Sequence, residues 1–332
     1  MGDRKRRLTR DHWLIRLRHR VEYLFMAGAV RAVCLLSQRR AARLGEWLGK
    51  LAYYAVPSIR RTAQRNIAQT IGKDMSSTEI DRIVRATFIN MGYNIVEFLG
   101  LPRHRESLKQ QVTFVGLEHM DNALSAGRGA ILFSGHMTNW EIHGGMFAYL
   151  GYPVHPVYKP MSNPLTDRLI YDLRKGFGLE LINIREWKER VVQVLSSGEV
   201  VGLISDQDAS KHGIFVDFLG KPASTFVGPA LLTLRHNAAL LLTLGHRTSP
   251  WHFELEILPA LTITPTGDMR RDVAALTALW VSIFDQHVRK YPEQYFWFHR
   301  RWKTQPQAPQ TDGDAPLGEE NTASAADSSG IG

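Results

Sequence analysis

In the stretch Gly129-Ala-Ile-Leu-Phe133-Ser-Gly-His136-Met-Thr-Asn-Trp-Glu141-Ile-His143, the signals of a strand, a turn and a helix follow one another directly. The run from Gly129 to Phe133 is short and apolar, as in a buried strand, and a Ser-Gly turn follows it. The Thr-Asn pair is suited to cap a helix with Glu141 in its first turn. His136 is therefore expected in the loop between strand and helix, where α/β proteins usually place their chemistry.

His136 and Glu141 are five positions apart. On one continuous helix their side chains would point about 140° apart, at about 100° per residue, so one of them must lie outside the helix. An imidazole titrates near neutrality, and a nearby carboxylate can orient and strengthen it as a base. The pair therefore indicates activation of a hydroxyl group by proton removal. His143 follows closely, but the spacing lacks the His-Glu-x-x-His pattern of a helical zinc site, so we expect no metal.

The strand and helix signals of this stretch continue through most of the chain. From Val112 onward, short apolar runs alternate with helical stretches, which is typical of α/β layering. We expect a single α/β domain over residues 112–304, with a mixed central sheet flanked by helices. The predicted strands are residues 112–115, 129–133, 154–158, 179–184, 200–205, 239–245 and 253–258.

The amino-terminal part of the chain predicts helices and a contact with membrane lipids. Residues 1–20 form a basic tail with eight Lys or Arg and two acids, and residues 21–111 form a membrane-associated helical region. Its apolar run, residues 21–36, is near the lower limit of about 17 residues for crossing a bilayer, and Glu22 and Arg31 interrupt it. We expect an interfacial or shallowly inserted helix; a helix packed on the domain is the alternative.

Further helices are predicted between this run and the first strand. They cover residues 39–55, 60–71 and 78–99, with Ser76 or Ser77 as the cap of the last one. Pro102 is expected to end the helical region. The tail at residues 305–332 is rich in Pro, Ala, Ser, Gly and acids and is predicted to be disordered.

The body of the chain is basic, not only its amino-terminal tail. The formal net charge is +9, and the two tails contribute +6 and −5, which leaves about +8 on residues 21–303. A basic body implies anionic partners such as phospholipid headgroups, phosphorylated lipid, an acidic carrier protein or nucleic acid. Nucleic acid is the weakest of these candidates, because no zinc-finger spacing, RNP-like aromatic motif or basic heptad helix occurs.

Three later segments, taken together with the His-x4-Glu box, resemble one family. They are Tyr158-Lys-Pro-Met-Ser-Asn163 leading to Arg174, Gly202-Leu-Ile-Ser-Asp206-Gln-Asp208 leading to Phe215-Val-Asp-Phe-Leu-Gly220, and Tyr291-Pro-Glu-Gln-Tyr-Phe-Trp-Phe-His-Arg-Arg-Trp-Lys303. Over roughly residues 20–304, the chain resembles the bacterial lipid A biosynthesis acyltransferases, the late lauroyl and myristoyl transferases. The closing segment is the most specific, whereas the His-x4-Glu box is shared with the wider glycerolipid acyltransferase superfamily. Lys159 and Leu219 stand where the family often has Arg and Phe.

The resemblance implies a role for each of four residues. His136 would be the general base that deprotonates a lipid hydroxyl as it attacks a thioester carbonyl. Glu141 would hold the imidazole tautomer and stabilise the imidazolium. Arg174 would meet a phosphate or the charge near the forming oxyanion, with a surface salt bridge as the alternative. Asp206 would orient Arg174 or help to bind the sugar, and a turn or N-cap role explains it nearly as well.

The same resemblance implies the partners and the location. The donor would be an acyl carrier protein thioester, with coenzyme A as the alternative, and the acceptor a lipid A precursor or related glycolipid. No cofactor is implied, and the site would face the cytoplasm at the bacterial inner membrane. Acylation of another glycolipid or glycerolipid remains an alternative. A catalytically silent lipid-binding protein is another, disfavoured because all four site residues are present.

Overall fold

The computed structural model describes the backbone of residues 2–306 and the side chains of residues 13–306. Within that range, five α-helices precede the first strand, five more lie between strands, and one follows the last strand. The helices are α1 (Gly2–Leu35), α2 (Gln38–Ala55), α3 (Pro57–Ala68), α4 (Ser77–Leu99), α5 (Leu101–Leu108), α6 (Leu117–Ser125), α7 (Trp140–Tyr149), α8 (Pro164–Lys175), α9 (Trp187–Ser196), α10 (Gly228–His236) and α11 (Met269–Lys290).

The strands form a seven-stranded sheet and a separate hairpin. They are β1 (Val112–Val115), β2 (Ala130–Ser134), β3 (Val154–Tyr158), β4 (Ile182–Asn183), β5 (Val200–Ile204), β6 (Ile214–Phe218), β7 (Lys221–Thr225), β8 (Ala239–Ser249) and β9 (His252–Ile257). The sheet has the order β1-β9-β8-β2-β5-β3-β4, and β6 pairs with β7. All neighbours in the large sheet run parallel except β8 and β9. The predicted α/β fold with a mixed sheet flanked by helices is confirmed.

The central strand β2 lies between β8 and β5, and its two faces pack against different helices. Leu132 pairs with Leu241 on one side and Gly202 on the other, so these three residues point to the same face. On that face α7 covers the sheet in one hydrophobic cluster. Phe133 points to the opposite face, into a second cluster with residues of α9, α10 and α11. Both faces of β2 are thus buried, as its apolar sequence predicts.

The helices α2 and α4 pack closely because each has a glycine where they cross, Gly45 in α2 and Gly92 in α4. A Cβ atom at Gly45 would come within 2.8 Å of the Gly92 carbonyl oxygen, so a larger residue at this crossing would push the helices apart. The start of α4 is capped as predicted, because the Ser76 side chain accepts from the Glu79 amide and the Glu79 carboxylate accepts from the Ser76 amide.

Three expectations about the elements are corrected by the structure. Pro102 does not end the helical region but lies in the first turn of α5, where a missing amide donor costs nothing. The strand predicted at residues 179–184 is reduced to Ile182–Asn183. The β6–β7 hairpin was not predicted, because its short strands carry only a weak alternation of apolar and polar residues.

The helix α1 runs from Gly2 to Leu35 without a break and therefore crosses the boundary expected at residue 20. Among the described residues, no helix combines the length and apolar character needed to cross a membrane. One face of α1 contacts α8, and the Asn163 amide donates to the His19 carbonyl (2.9 Å) and the Glu22 carboxylate (2.8 Å). Of the predicted disordered tail, residues 307–332 lie outside the described residues.

Candidate active site

His136 lies in the loop between β2 and α7, as the sequence predicts. The strand ends at Ser134, and Asn139 caps α7 by accepting from the Ile142 amide at 3.3 Å. Glu141 lies in the first turn of the helix. Thr138, between the loop and the cap, has a positive φ of 46° and is buried, so the loop turns sharply before the helix begins. This turn holds His136 at the carboxyl end of the sheet.

Asp206 follows the carboxyl end of β5 and binds His136 twice. One carboxylate oxygen is 2.6 Å from His136 Nδ1, and the other accepts from the His136 backbone amide at 2.9 Å. Because a carboxylate can only accept, Nδ1 carries the proton in this pair. The second ring nitrogen, Nε2, is then the one that can take up a proton from another molecule.

Asp206 is buried and held in its charged form. Burial alone would raise the pKa of this carboxyl, but the facing imidazole and the two hydrogen bonds from His136 outweigh it and hold the pKa below its usual range. Tyr295 and Arg301 lie buried beside it. Arg301 donates to the Ser224 carbonyl and to the Thr225 hydroxyl of the β6–β7 hairpin. The hairpin thereby fixes a positive charge behind the carboxylate.

Glu141 does not contact His136 in the way the sequence indicates; it pairs with Arg174 from the last turn of α8. Arg174 Nε lies 2.9 Å from one carboxylate oxygen of Glu141 and Nη2 lies 2.7 Å from the other. This is the two-pronged geometry that makes guanidinium–carboxylate pairs strong. The expected role of Glu141 as the partner of the imidazole is therefore corrected, since Asp206 holds that position. Arg174 therefore makes a salt bridge, as its alternative supposes, but the side chains of Arg174 and Glu141 are only 25% and 18% exposed.

Residues of the segment 291–303 hold the loop that contains His136 in place. Thr138 donates its amide to the Gln294 carbonyl (2.8 Å), and Phe296 donates its amide to the His136 carbonyl (3.0 Å). The rings of Phe296 and Trp140 lie against the imidazole, with ring centres 5.8 and 5.0 Å away. These contacts fix the position of the imidazole through the backbone and through packing. Three other aromatic residues of this segment, Tyr295, Trp297 and Trp302, are buried in the core.

A cavity of about 290 Å³ opens at the carboxyl ends of β2, β3 and β5. His136, Glu141 and Arg174 line it, and so do Ser205 and Gln207 on either side of Asp206. Most of the other lining residues are apolar side chains or glycines. Pockets that bind ligands typically combine apolar walls with a few converging polar groups, so this cavity is the candidate binding site.

The four residues singled out from the sequence therefore meet at one place, but as two different pairs. His136 is bound to Asp206, and Glu141 to Arg174. The bracing role of Gln294 and Phe296 was not anticipated. A signal for the first pair is visible in retrospect, because His136 and Asp206 each follow the carboxyl end of a short apolar strand. Carboxyl ends of parallel strands meet at one edge of a sheet.

The Glu141–Arg174 pair gives a first prediction. We expect Arg174→Ala to lower kcat/KM by about 10- to 100-fold, since hydrogen bonds between charged groups contribute about 1.5–3 kcal/mol each. Arg174→Lys should recover only part of this loss, because an ammonium group cannot contact both carboxylate oxygens in one plane. Steady-state kinetics with varied acceptor measures the effect. Unchanged kcat and KM in Arg174→Ala would limit the pair to a structural role.

A buried histidine beside the site gives a second prediction. His143 Nε2 is 2.7 Å from the Thr243 hydroxyl, and burial lowers the pKa of His143 to about 3. In the unfolded chain this residue takes up a proton below pH about 6.5, whereas in the folded protein it does so only near pH 3. The free energy of unfolding therefore decreases as the pH is lowered from 6.5 to 3. From pH 7 to pH 5 we expect urea unfolding to show a loss of roughly 2 kcal/mol that His143→Gln lacks. Equal losses in both proteins would contradict this.

The sequence matches the family model described as bacterial lipid A biosynthesis acyltransferase over residues 11–304. It is 28% identical over 295 residues to the phosphatidylinositol mannoside acyltransferase of Mycobacterium tuberculosis, covering 85% of this chain and 88% of that protein. It is 29% identical over 274 residues to the lipid A biosynthesis lauroyltransferase of Escherichia coli, covering 80% and 86%. The palmitoleoyltransferase of the same organism is 26% identical over 270 residues, covering 79% and 85%. These relatives are named acyltransferases, and their names refer to two kinds of glycolipid.

Proposed function

Because the chain belongs to the bacterial lipid A biosynthesis acyltransferase family and is an acyltransferase, we propose that it moves a fatty acyl group from an acyl carrier protein thioester to a hydroxyl of a lipid A precursor. The observation that carries the proposal is the His136–Asp206 pair at the mouth of a largely apolar cavity. A base that can accept a proton and a cavity suited to a hydrocarbon chain are the two elements that acyl transfer to a hydroxyl requires.

In this mechanism His136 is the general base. Asp206 fixes the proton on Nδ1, so Nε2 accepts the proton of the acceptor hydroxyl as its oxygen attacks the thioester carbonyl. The imidazolium that forms is stabilised by the Asp206 carboxylate, which stays ionised because its pKa is held low. The tetrahedral intermediate then collapses, the carbon–sulfur bond breaks, and the thiolate receives the proton from Nε2. No covalent acyl-enzyme is formed.

The Glu141–Arg174 pair contributes to binding of the acceptor lipid. Two of the guanidinium nitrogens are bound to Glu141, which fixes the plane of the group, and the pair lines the cavity. Burial lowers the pKa of Arg174 and the Glu141 charge raises it, with a net increase, so the group is charged at all working pH values. A fixed guanidinium is suited to a phosphate of a lipid A precursor.

The protein contacts the membrane, where the reaction takes place, through a surface formed by α1 and α2. Large apolar side chains are exposed along both helices: Trp13, Leu14, Ile15, Leu17, Val21, Leu24, Phe25 and Leu35 on α1, and Trp47, Leu51 and Tyr54 on α2. Basic residues such as Arg18 and Arg43 lie among them. Apolar side chains mixed with cations favour the interface of an anionic bilayer. We place the protein at the bacterial inner membrane, with its site facing the cytoplasm.

Vesicle binding tests the membrane surface. Leu24 and Phe25 are 66% and 79% exposed. We expect Leu24→Asp and Phe25→Asp together to weaken co-sedimentation with vesicles of phosphatidylglycerol and phosphatidylethanolamine by at least about tenfold, since burying one such side chain contributes about 1.5–3 kcal/mol. Met269→Asp is the matched control, because Met269 is an exposed apolar residue at the start of α11. Equal binding of the wild type, the double variant and Met269→Asp would show that α1 is not the surface that binds the vesicles.

A second acceptor class is favoured by one observation. The similarity to the phosphatidylinositol mannoside acyltransferase of Mycobacterium tuberculosis extends over 295 residues, compared with 274 residues for the lauroyltransferase. A mannosylated phospholipid also offers sugar hydroxyls next to a phosphate. The same His136 and Arg174 chemistry would serve it.

Mass spectrometry of the products tests the function. Detergent-purified protein would be incubated with acyl carrier protein thioesters and, separately, a tetra-acylated lipid A precursor, a phosphatidylinositol mannoside and a lysophospholipid. We expect one added acyl mass on the lipid A precursor. The same added mass only on the mannoside would move the assignment to the second class, and parallel reactions with acyl coenzyme A would identify the donor. An absence of product with every pair would overturn the proposal.

A further inference from the structure

Trp140, the first residue of α7, is a tryptophan that is neither buried nor placed on the proposed membrane surface. All eight tryptophans lie in the part of the chain whose side chains are described. Five of them are buried, namely Trp187, Trp251, Trp280, Trp297 and Trp302, and two, Trp13 and Trp47, are exposed on α1 and α2. Trp140 is partly exposed and lines the cavity together with Ser134, His136 and Glu141. A large apolar ring is thus left open beside the candidate base.

The indole of Trp140 is held in one orientation by its neighbours. Its ring centre is 5.0 Å from that of His136 and 5.6 Å from that of Phe296, at interplanar angles of 68° and 78°. Such edge-to-face contacts are favoured between aromatic rings. The preceding residue, Asn139, is buried and donates its amide to the Glu97 carboxylate at 2.9 Å, which fixes the start of α7. A ring that is already fixed loses little conformational entropy when a ligand covers it.

The surroundings of the indole combine an apolar ring with groups that form hydrogen bonds. The Glu141–Arg174 pair and Ser134 line the same cavity. A sugar ring has apolar C–H faces and a rim of hydroxyls, so it fits a site in which an aromatic ring lies beside a few polar side chains. The hydroxyl that is acylated has to reach the His136 imidazole, whose ring centre is only 5.0 Å from that of the indole. A sugar that presents this hydroxyl therefore brings its ring to Trp140.

We infer that Trp140 binds the sugar ring of the acceptor lipid and thereby favours a glycolipid over a lipid without a sugar. This inference rests on the proposed function, since it assigns one residue of the cavity to the acceptor. The indole packs against a C–H face of the sugar, and Glu141 and Arg174 are available in the same cavity to its polar groups. The contact serves a lipid A precursor and a mannosylated phospholipid equally, because both carry sugar rings.

Steady-state kinetics of matched variants tests the inference. The full-length protein would be assayed with an acyl carrier protein thioester and the glycolipid that the wild type acylates, each substrate being varied in turn. We expect Trp140→Ala to raise the KM of the glycolipid about tenfold, equivalent to about 1.4 kcal/mol, and to leave the KM of the thioester unchanged. Trp140→Phe should recover most of this loss, because it keeps an aromatic ring. A glycolipid KM that is the same in the wild type and both variants would overturn the inference.

Phe296→Ala is the matched control for packing on the base. Phe296 also lies against the imidazole, with ring centres 5.8 Å apart, but it is not part of the cavity lining. Its removal should lower kcat through the lost packing on His136 and leave the KM of the glycolipid as in the wild type. In Trp140→Ala, kcat should fall no further than in Phe296→Ala. A lower kcat with an unchanged glycolipid KM in Trp140→Ala would limit Trp140 to holding the imidazole.

The fully deacylated glycolipid separates contact with the sugar from contact with the acyl chains. It keeps the sugar and the phosphate, so it should compete with the glycolipid, and its inhibition constant should rise in Trp140→Ala by the same factor as the KM. An absence of inhibition, or an inhibition constant that stays the same while the KM rises, would overturn the inference. If the wild type acylates no glycolipid at all, the proposed function itself fails. An unchanged KM in variants of an active enzyme counts against the role of Trp140 alone.

Discussion

His136→Ala should lower kcat by about 10²- to 10⁴-fold, the usual contribution of a positioned general base. The protein should still fold, because the His136 loop is held through its backbone: the His136 carbonyl accepts from Phe296 and the His136 amide donates to Asp206. The imidazole is 20% exposed and borders the cavity, so its removal mainly enlarges a space that is already there. Product formation by mass spectrometry and the melting temperature measure the two effects separately. Undiminished turnover in a folded His136→Ala protein would remove the proposed base.

Two matched carboxylate-to-amide variants then decide which acid supports the base. Asp206→Asn keeps the shape of the side chain but replaces one carboxylate oxygen by an NH2 group. The side chain then no longer fixes the proton on Nδ1 of His136, and we expect a loss of about 10²- to 10⁴-fold in kcat. Glu141→Gln should act mainly through Arg174 and cost less. Adding His136→Ala to Asp206→Asn should cause little further loss, because the two residues act as a unit. A larger loss of kcat in Glu141→Gln than in Asp206→Asn would mean that Glu141, and not Asp206, supports the base.

The local part of this site was predictable because its signals lie within one short stretch. The apolar run before Ser134, the cap at Asn139 and the first-turn position of Glu141 depend on neighbouring residues only. The same holds for the capping box at Ser76. Each of these features follows from backbone hydrogen bonds that residues close in sequence can satisfy.

The pairing of the site residues was not predictable, because it depends on the order of the strands. His136 and Asp206 are 70 residues apart, and they meet because β5 lies next to β2, although β3 and β4 come between them in the chain. A single sequence shows that both residues follow strands, but it does not show which strands are neighbours. Glu141, only five residues from His136, was the nearer partner along the chain and lies at the start of a helix that turns it toward Arg174.

A buried ion pair beneath the site was likewise invisible in the sequence. Arg247 of β8 binds Glu97 of α4 with Nε at 3.1 Å and Nη2 at 2.6 Å, and both side chains are almost completely buried. The Asn139 amide and the Trp251 backbone amide also donate to the Glu97 carboxylate. Every oxygen of this buried carboxylate is therefore satisfied, and the cap of α7 is tied to α4 through it.

Arg247→Met should lower the free energy of unfolding by about 3–5 kcal/mol, because it leaves the Glu97 charge buried without its partner. Urea unfolding at pH 7 measures the loss. The exposed pair Arg85–Asp81 provides the matched control, since Arg85→Met should cost less than about 1 kcal/mol. Adding Glu97→Leu to Arg247→Met should restore part of the stability, because replacing both charges by apolar groups removes the uncompensated one. Equal losses at Arg85 and Arg247, or no recovery in the double variant, would mean that the buried charge is not what destabilises the single variant.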